Sequence, residues 1–451
     1  MRRLITITLL LLSCNCFAQN AQKQEEIDIK SYEQFQNKQF KELKQTLKDA
    51  LAQNIDFYYL RLRAGILAYN NKKYEYAIPQ FKKALEFAPM DTVAKEYLYY
   101  AYLFTSRKEA ANDFASKQDM EFQNKVGYKK KAFDFIGVDG GVVYTNNINS
   151  SKGKTFKADN LPGKAERSLN GNLYFGELFF QNTIKNRLHI NNSFSVFNTN
   201  ALYETQLTLP SSETVINSQN FNNLNFQYNL GFSYITKKEW AIAASFGYYR
   251  VKGNSFTAFA PDTVQNTIPL GRDTFTINSF LGSVTIAKRF RNVQPYIQVS
   301  GSNLNALKQV QAEFGLLYFP LGNYNFYGIT AGAYLRNGSS NQYVISQRIG
   351  FKILKCWWSE LNFNYGNLSN YIANNGFATY NTSDAIKLQT GLDFNFYIKK
   401  HFQLGINYTF QQREKTTQQY KRDMLTNANI ITNLSENYFT HLFKTTLLWK
   451  F

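Results

Sequence analysis

Three imidazoles serve a chain of 451 residues, His189, His401 and His441, so any hydrolytic site would have to be built around one of them. Nucleophilic hydrolysis needs such a base within hydrogen-bond reach of a serine or an acid. The strand pattern described below sets His189 and His401 beside short turns. It sets His441 in the phase that faces away from the interior, so none meets a serine or aspartate at an outer rim. There is no glycine-rich phosphate loop and no metal-ligand spacing. The expectation is a protein that is not an enzyme, with no cofactor and no metal. The remaining chemistry is hydrogen bonding and charge. Arg348, Lys352, Glu360, Lys387, Asp393 and Arg413 are interleaved with Asn362, Asn364, Gln389, Asn395, Gln403 and Asn407 in a set mixed in sign and rich in amides. Such residues suit a hydrated passage or a polar socket for a plug, and they argue against a fatty-acid channel, whose path would be apolar. A closed interior whose charges pair with one another is the other reading.

A two-residue period positions these side chains. In the region from Ala385 to Ile398, Ile386, Leu388, Leu392, Phe394, Phe396 and Ile398 alternate with Lys387, Gln389, Gly391, Asp393 and Asn395. From His401 to Arg413, Phe402, Leu404, Ile406, Tyr408 and Phe410 alternate with Gln403, Asn407, Gln411 and Arg413. Lys399 and Lys400 join the two into a hairpin with one greasy and one wettable face. The same template gives strands near 133–145, 167–181, 187–203, 217–235, 239–252, 273–288, 294–304, 307–319, 324–336, 341–354, 357–370, 380–398, 401–413 and 436–451. That is a transmembrane antiparallel β-barrel of about 14 strands. Tight turns at 182–186, 236–238, 289–293, 320–323, 355–356 and 399–400 alternate with mostly longer loops at 146–166, 204–216, 253–272, 371–379 and 414–435.

Composition fits that class. Aromatic residues are 16% of the chain, yet only 44% is hydrophobic, and the mean hydropathy of −0.39 is too polar for a helical membrane protein. Beyond the amino terminus no apolar run reaches about 18 residues, so helical spans are excluded. The net charge of +19 comes without a nucleic-acid recognition motif. Much of it sits at the tight turns, in Lys185, Arg187, Lys237, Lys238, Lys288, Arg289, Arg291, Lys355, Lys399 and Lys400. A basic rim of this kind suits anionic headgroups.

The amino terminus reads as an export signal over residues 1–18. Arg2 and Arg3 form its charged region, Leu4 to Leu12 its apolar core, and Ala18 its cleavage position. Leu11-Leu12-Ser13-Cys14 offers a lipidated Cys14 as the alternative. After cleavage at Ala18 only Cys356 remains, which leaves no intrachain disulfide.

Residues 19–125 read as a short all-α domain ahead of the barrel at 126–451, making the chain an α+β multidomain protein. In Leu62 to Pro89, Gly65, Ala77, Phe81, Ala84 and Pro89 stand at tetratricopeptide-repeat spacing. Gly65 and Ala77 permit close helix approach, Phe81 and Ala84 fill the seam, and Pro89 ends the second helix. Shifts of 34 residues bring Ala111, and in the other direction Leu43, to the place of Ala77; Ala50 comes to that of Ala84.

The last strand places Phe439, His441, Phe443, Thr445, Leu447, Trp449 and Phe451 on one face. Its Phe443, Leu447, Trp449 and Phe451 resemble the C-terminal signal of bacterial outer-membrane barrels, which the barrel-assembly machinery reads. These residues, the repeat positions, and Gly137-Val138-Asp139-Gly140-Gly141 with Tyr144 to Asn149 together resemble the surface lipoprotein assembly modifiers and YaiO-like barrels. That resemblance implies an outer-membrane location with periplasmic repeats. It also implies a role in exporting or displaying a periplasmic protein or lipoprotein client held by the repeats. The alternatives are a porin-like channel for polar solutes and a non-conducting envelope scaffold. The partners expected are outer-membrane lipids, the assembly machinery and the client, and not nucleic acid.

Overall fold

The computed structural model describes residues 22–157, 163–209, 211, 213–258, 269–382, 384–422 and 429–451, without the side chains of 419–430. The leader at 1–18, with Cys14, lies outside the described residues. The chain divides into two compact units, Met1–Lys130 with Phe319–Tyr324, and Lys131–Tyr318 with Asn325–Phe451.

The first unit is helical: α1 (22–36), α2 (Phe40–Ala52), α3 (Tyr58–Asn70), α4 (Tyr74–Phe87), α5 (Thr92–Phe104), α6 (Lys108–Ala115) and α7 (Met120–Val126). Starts recur every 34 residues, at Phe40, Tyr74 and Lys108 and at Tyr58 and Thr92. The turn residues Lys38, Lys72 and Ser106, all at positive φ, keep the same interval. So do the buried positions Leu43, Ala77 and Ala111, and likewise Leu47, Phe81 and Ala115. The recurrence has a packing cause. A Cβ on Gly65 would stand 2.5 Å from the Phe81 ring, so only glycine lets α3 lie against that aromatic. Phe81 stacks in turn on Tyr97, with ring centroids 5.3 Å apart. Ala84 is buried one turn on, and Pro89 follows the end of α4. Among the tyrosines, Tyr99 and Tyr102 are core, while Tyr59 is half exposed and lies beside the Arg63 guanidinium.

In the second unit, fourteen strands among the described residues close an antiparallel barrel. They are β1 (Phe135–Thr145), β2 (Gly163–Ile184), β3 (Leu188–Thr208), β4 (Thr214–Ile235), β5 (Trp240–Ala258), β6 (Leu270–Lys288), β7 (Val293–Ser302), β8 (Gln309–Tyr318), β9 (Phe326–Asn337), β10 (Ser340–Leu354) and β11 (Trp357–Gly366), followed by β14 (Ala385–Lys399), β15 (Phe402–Arg422) and β16 (Asn429–Lys450). Two short strands, β12 (Ile372–Ala373) and β13 (Ala378–Thr379), pair only with each other. β16 closes the ring on β1, Phe135 opposite Lys450 and Thr145 opposite Thr440.

Alternation decides which face is which. Phe443, Leu447, Trp449 and Phe451 point outward, 41–51% exposed, beside Val138 and Tyr144 of β1. The same phase supplies Phe232, Ile242, Ile286, Ile297, Phe314, Ile345, Leu361 and Ile406 around the ring. Each strand of this wall pairs with a neighbour on both sides, and the outer band is apolar, as a membrane-crossing barrel requires.

Boundaries differ from the expectation at the end opposite the chain terminus, here called the far end. β15 and β16 continue through most of 414–435, and β3 and β4 through most of 204–216. Above the apolar band both strand faces are polar, so the two-residue rhythm that marks a strand vanishes while the hydrogen-bond ladder continues. The two kinds of connection also mix. The far-end links 303–308 and 338–339 are short, the latter made possible by Gly338 at φ +60°. The strands expected at 357–370 and 380–398 stop at Gly366 and start at Ala385, and the reason lies inside the barrel.

Candidate functional site

The connection between β11 and β14 folds into the lumen. Its entry is fixed at Gly366, where φ is +125° and a Cβ would stand 2.0 Å from the Tyr343 carbonyl oxygen, so no other residue fits. Beyond it the sequence Asn370-Tyr371-Ile372-Ala373-Asn374-Asn375-Gly376-Phe377 places Asn370, Asn374, Asn375 and Gly376 at positive φ. These are the residue types that adopt that conformation at least cost. The result is a compact finger built on the β12–β13 pair.

Glutamines on the wall bind the finger's main chain as a neighbouring strand would. Gln311 donates to the Ile372 carbonyl at 2.6 Å and accepts from the Ile372 amide at 2.9 Å. Gln298 donates to the same carbonyl at 3.2 Å and accepts from the Asn375 amide at 3.2 Å, and Gln309 donates to the Asn370 carbonyl at 2.6 Å. The Tyr371 hydroxyl donates to Glu313 at 2.6 Å, and Thr285 donates to the Asn375 side chain at 2.7 Å. Two apolar contacts add to this. Leu368 and Tyr371 pack with Ala333, Leu335, Val344 and Ile386, and Ile372 packs with Tyr249, Leu281 and Leu304.

The reach of the finger follows from strand order. Phe377 lies against Gly231 of β4, where a Cβ would meet its ring at 2.5 Å. β4 is seven places from β11 in a ring of fourteen, the diametrically opposite wall. The finger therefore bisects the lumen. A cavity of about 590 Å³ borders Asn374, Asn375 and Ala378, and a second of about 410 Å³ borders Asn374, Asn375 and Phe377.

The larger chamber gathers most of the residues singled out from the sequence. Arg348 donates to Asn362 at 2.8 Å and lies 3.7 Å from Glu360, which also accepts from the Tyr327 hydroxyl. Asp393 accepts from Asn362 at 2.5 Å and from Asn407 at 2.8 Å. Lys352 shares the inward phase at the tight-turn end, 4.5 Å above the Trp358 ring. Arg413 faces inward but sits apart, buried and bonded to Gln411 at 2.8 Å. Lys387 is a correction. A β-bulge between Ile386 and Leu388 reverses the phase, so Ile386 turns into the core around the finger. Lys387 turns out to meet Glu414 at 2.8 Å. One inserted residue is invisible to a strict alternation count.

The histidines lie where the alternation put them. His189 accepts or donates at Thr183 (2.7 Å) beside the first tight turn, and His401 stacks on Trp449 at the last. His441 faces outward against Tyr408. The only cysteine in the described residues, Cys356, is exposed and free.

Sequence reading missed Gln298, Gln309, Gln311 and Glu313, the residues that hold the finger. Their inward phase in β7 and β8 was readable, but only the finger gives them a task, and its signal was confined to the Asn-Asn-Gly cluster.

No family profile and no curated protein matches the chain. Among solved structures, it is similar to a Pseudomonas aeruginosa FadL homologue, at 9% identity and a TM-score of 0.44 over 75% of this chain and 94% of that one. It is also similar to the Pseudomonas putida toluene transporter TodX, at 8% identity and a TM-score of 0.43 over 72% and 91%. For the Ralstonia pickettii toluene transporter TbuX the figures are 9% identity and 0.42 over 72% and 91%.

Proposed function

We propose that this chain is a bacterial outer-membrane channel for small polar solutes, with its N-terminal helices in the periplasm. The observation that carries the reading is the chamber of about 590 Å³ inside the barrel, walled by Arg348, Glu360, Asn362, Asn364, Asp393 and Asn407. A chamber in which amides and charged groups stand among the lining side chains suits hydrated solutes. The apolar outer band takes the bilayer as its partner, and Phe443, Leu447, Trp449 and Phe451 are the residues proposed to address the assembly machinery. Since the chain enters β1 at the tight-turn end, residues before it are assigned to the periplasm. The rim lysines and arginines there face anionic headgroups. Reconstitution of the full chain in planar bilayers tests this. Discrete current steps, small because the finger narrows the path, are expected; a protein that inserts and never conducts would be a scaffold instead.

A second reading is favoured by the 34-residue recurrence of the helices. It matches the period of tetratricopeptide repeats, which present a concave surface to a peptide or protein. In this reading the repeats hold a periplasmic client or its chaperone and the barrel assists its display. Deleting residues 30–125 then abolishes display while leaving barrel insertion and current unchanged; unaltered display would count against this reading.

A further inference from the structure

We propose that the larger chamber is a binding site for uncharged saccharides, an inference that rests on the channel reading and narrows it to a substrate class.

The chamber carries two kinds of lining. Asn362, Asn364, Gln389, Asn395 and Asn407 on β11, β14 and β15 supply amides, and Ala241, Ala243, Ala287, Leu317 and Ile329 on β5, β6, β8 and β9 supply apolar surface between Thr285, Gln298 and Glu313. A pyranose has the matching duality, a ring of C–H groups on its face and hydroxyls at its rim. Its adjacent hydroxyls each donate and accept, and a primary amide offers both functions in one plane. The amides are also held in place before any ligand arrives. Asn362 lies between Arg348 and Asp393, Asn407 accepts from Thr409 at 3.0 Å, and Asn395 accepts from Gln403 at 2.9 Å. Fixed side chains lose little rotamer freedom on binding. The volume lies within the roughly 300–1,000 Å³ of small-molecule sites.

Charge argues against an anionic ligand. Arg348 is matched by Glu360 and Lys444 by Asp139 at 3.0 Å, whereas Asp393 receives only two amide donors and Glu313 only the Tyr296 and Tyr371 hydroxyls at 2.8 and 2.6 Å. An anionic solute would shed its hydration and meet two carboxylates with no countercharge, whereas a sugar exchanges water hydrogen bonds for amide ones.

The test is calorimetric titration of the detergent-folded full chain with maltotriose, raffinose and sucrose, and in parallel with lysine, glutamate and citrate. Saturable binding of at least one saccharide and of neither anionic solute is expected. Asn364→Leu and Asn407→Leu each weaken that binding about tenfold, the loss of one or two hydrogen bonds. Both keep the heat-dependent gel mobility of a folded barrel. Binding of the ionic solutes alone, or saccharide binding unchanged in both variants, overturns the proposal. A conducting protein that binds no saccharide leaves the channel and removes the sugar; saccharide binding without current does the reverse.

Discussion

Replacing residues 368–382 by a short glycine-serine linker raises the single-channel conductance severalfold. The finger spans the lumen from β11 to β4 and divides it into two chambers, so its removal converts a bisected path into one continuous bore. The barrel survives the excision, because all fourteen wall strands and their pairings lie outside the deleted segment. What the wall loses are the partners of Gln298, Gln309, Gln311 and Glu313, and these side chains exchange the finger's main chain and the Tyr371 hydroxyl for water in the opened lumen. Current recordings paired with gel mobility check both halves of this expectation. Folded protein whose current is unchanged would mean that the finger does not restrict the path.

The second large effect concerns the outer face. Phe443→Arg destabilises the folded barrel by about 2–4 kcal/mol, the cost of an arginine on the lipid face near the bilayer middle. Phe443 is half exposed on the outer face and packs on Tyr408, ring centroids 5.3 Å apart, within an apolar band that runs from Phe439 to Phe451. Its sequence neighbour supplies the contrast. Lys444 is already a cation and faces inward to Asp139, so Lys444→Arg costs little. Urea-driven unfolding from lipid vesicles measures both. Equal effects of the two substitutions would contradict the assignment of the faces.

Much of the wall could be read from the chain, and particular residues show why. Phe439 to Phe451 alternates cleanly because lipid lies on one side and water on the other, two solvents that impose opposite side-chain requirements at successive positions. Asp393 and Asn407 fell on the inner face for the same reason. The rhythm failed where the two environments become alike or the count is broken. Beyond Arg413 both faces meet water, so half of β15 read as loop. At Lys387 a single bulged residue exchanged inside for outside. The helical period was legible through Gly65 and Ala77, since small residues at a fixed interval have few reasons to recur except close packing. The finger was hidden for a different reason. Asn374-Asn375-Gly376 announces a turn but not its destination, and the glutamines that receive it are bound to it only through contacts 61–77 residues distant in sequence. Local pattern carries no record of such pairings.

The measurement that bears most directly on the divided lumen is a proximity cross-link. With Cys14, Cys16 and Cys356 replaced by serine, the pair Thr285→Cys and Asn375→Cys is treated with a short bifunctional thiol reagent in intact cells or vesicles. Thr285 on β6, five strands from β11 around the ring, and Asn375 at the finger's tip are in hydrogen-bond contact at 2.7 Å. Rapid, near-complete cross-linking of this pair, with none for Asn375→Cys paired with an outward position such as Phe443→Cys, is the result predicted. Failure of the Thr285–Asn375 pair to link, with position 375 instead labelled freely by a membrane-impermeant thiol reagent from outside, would show a finger that hangs from the barrel mouth and leaves the lumen undivided.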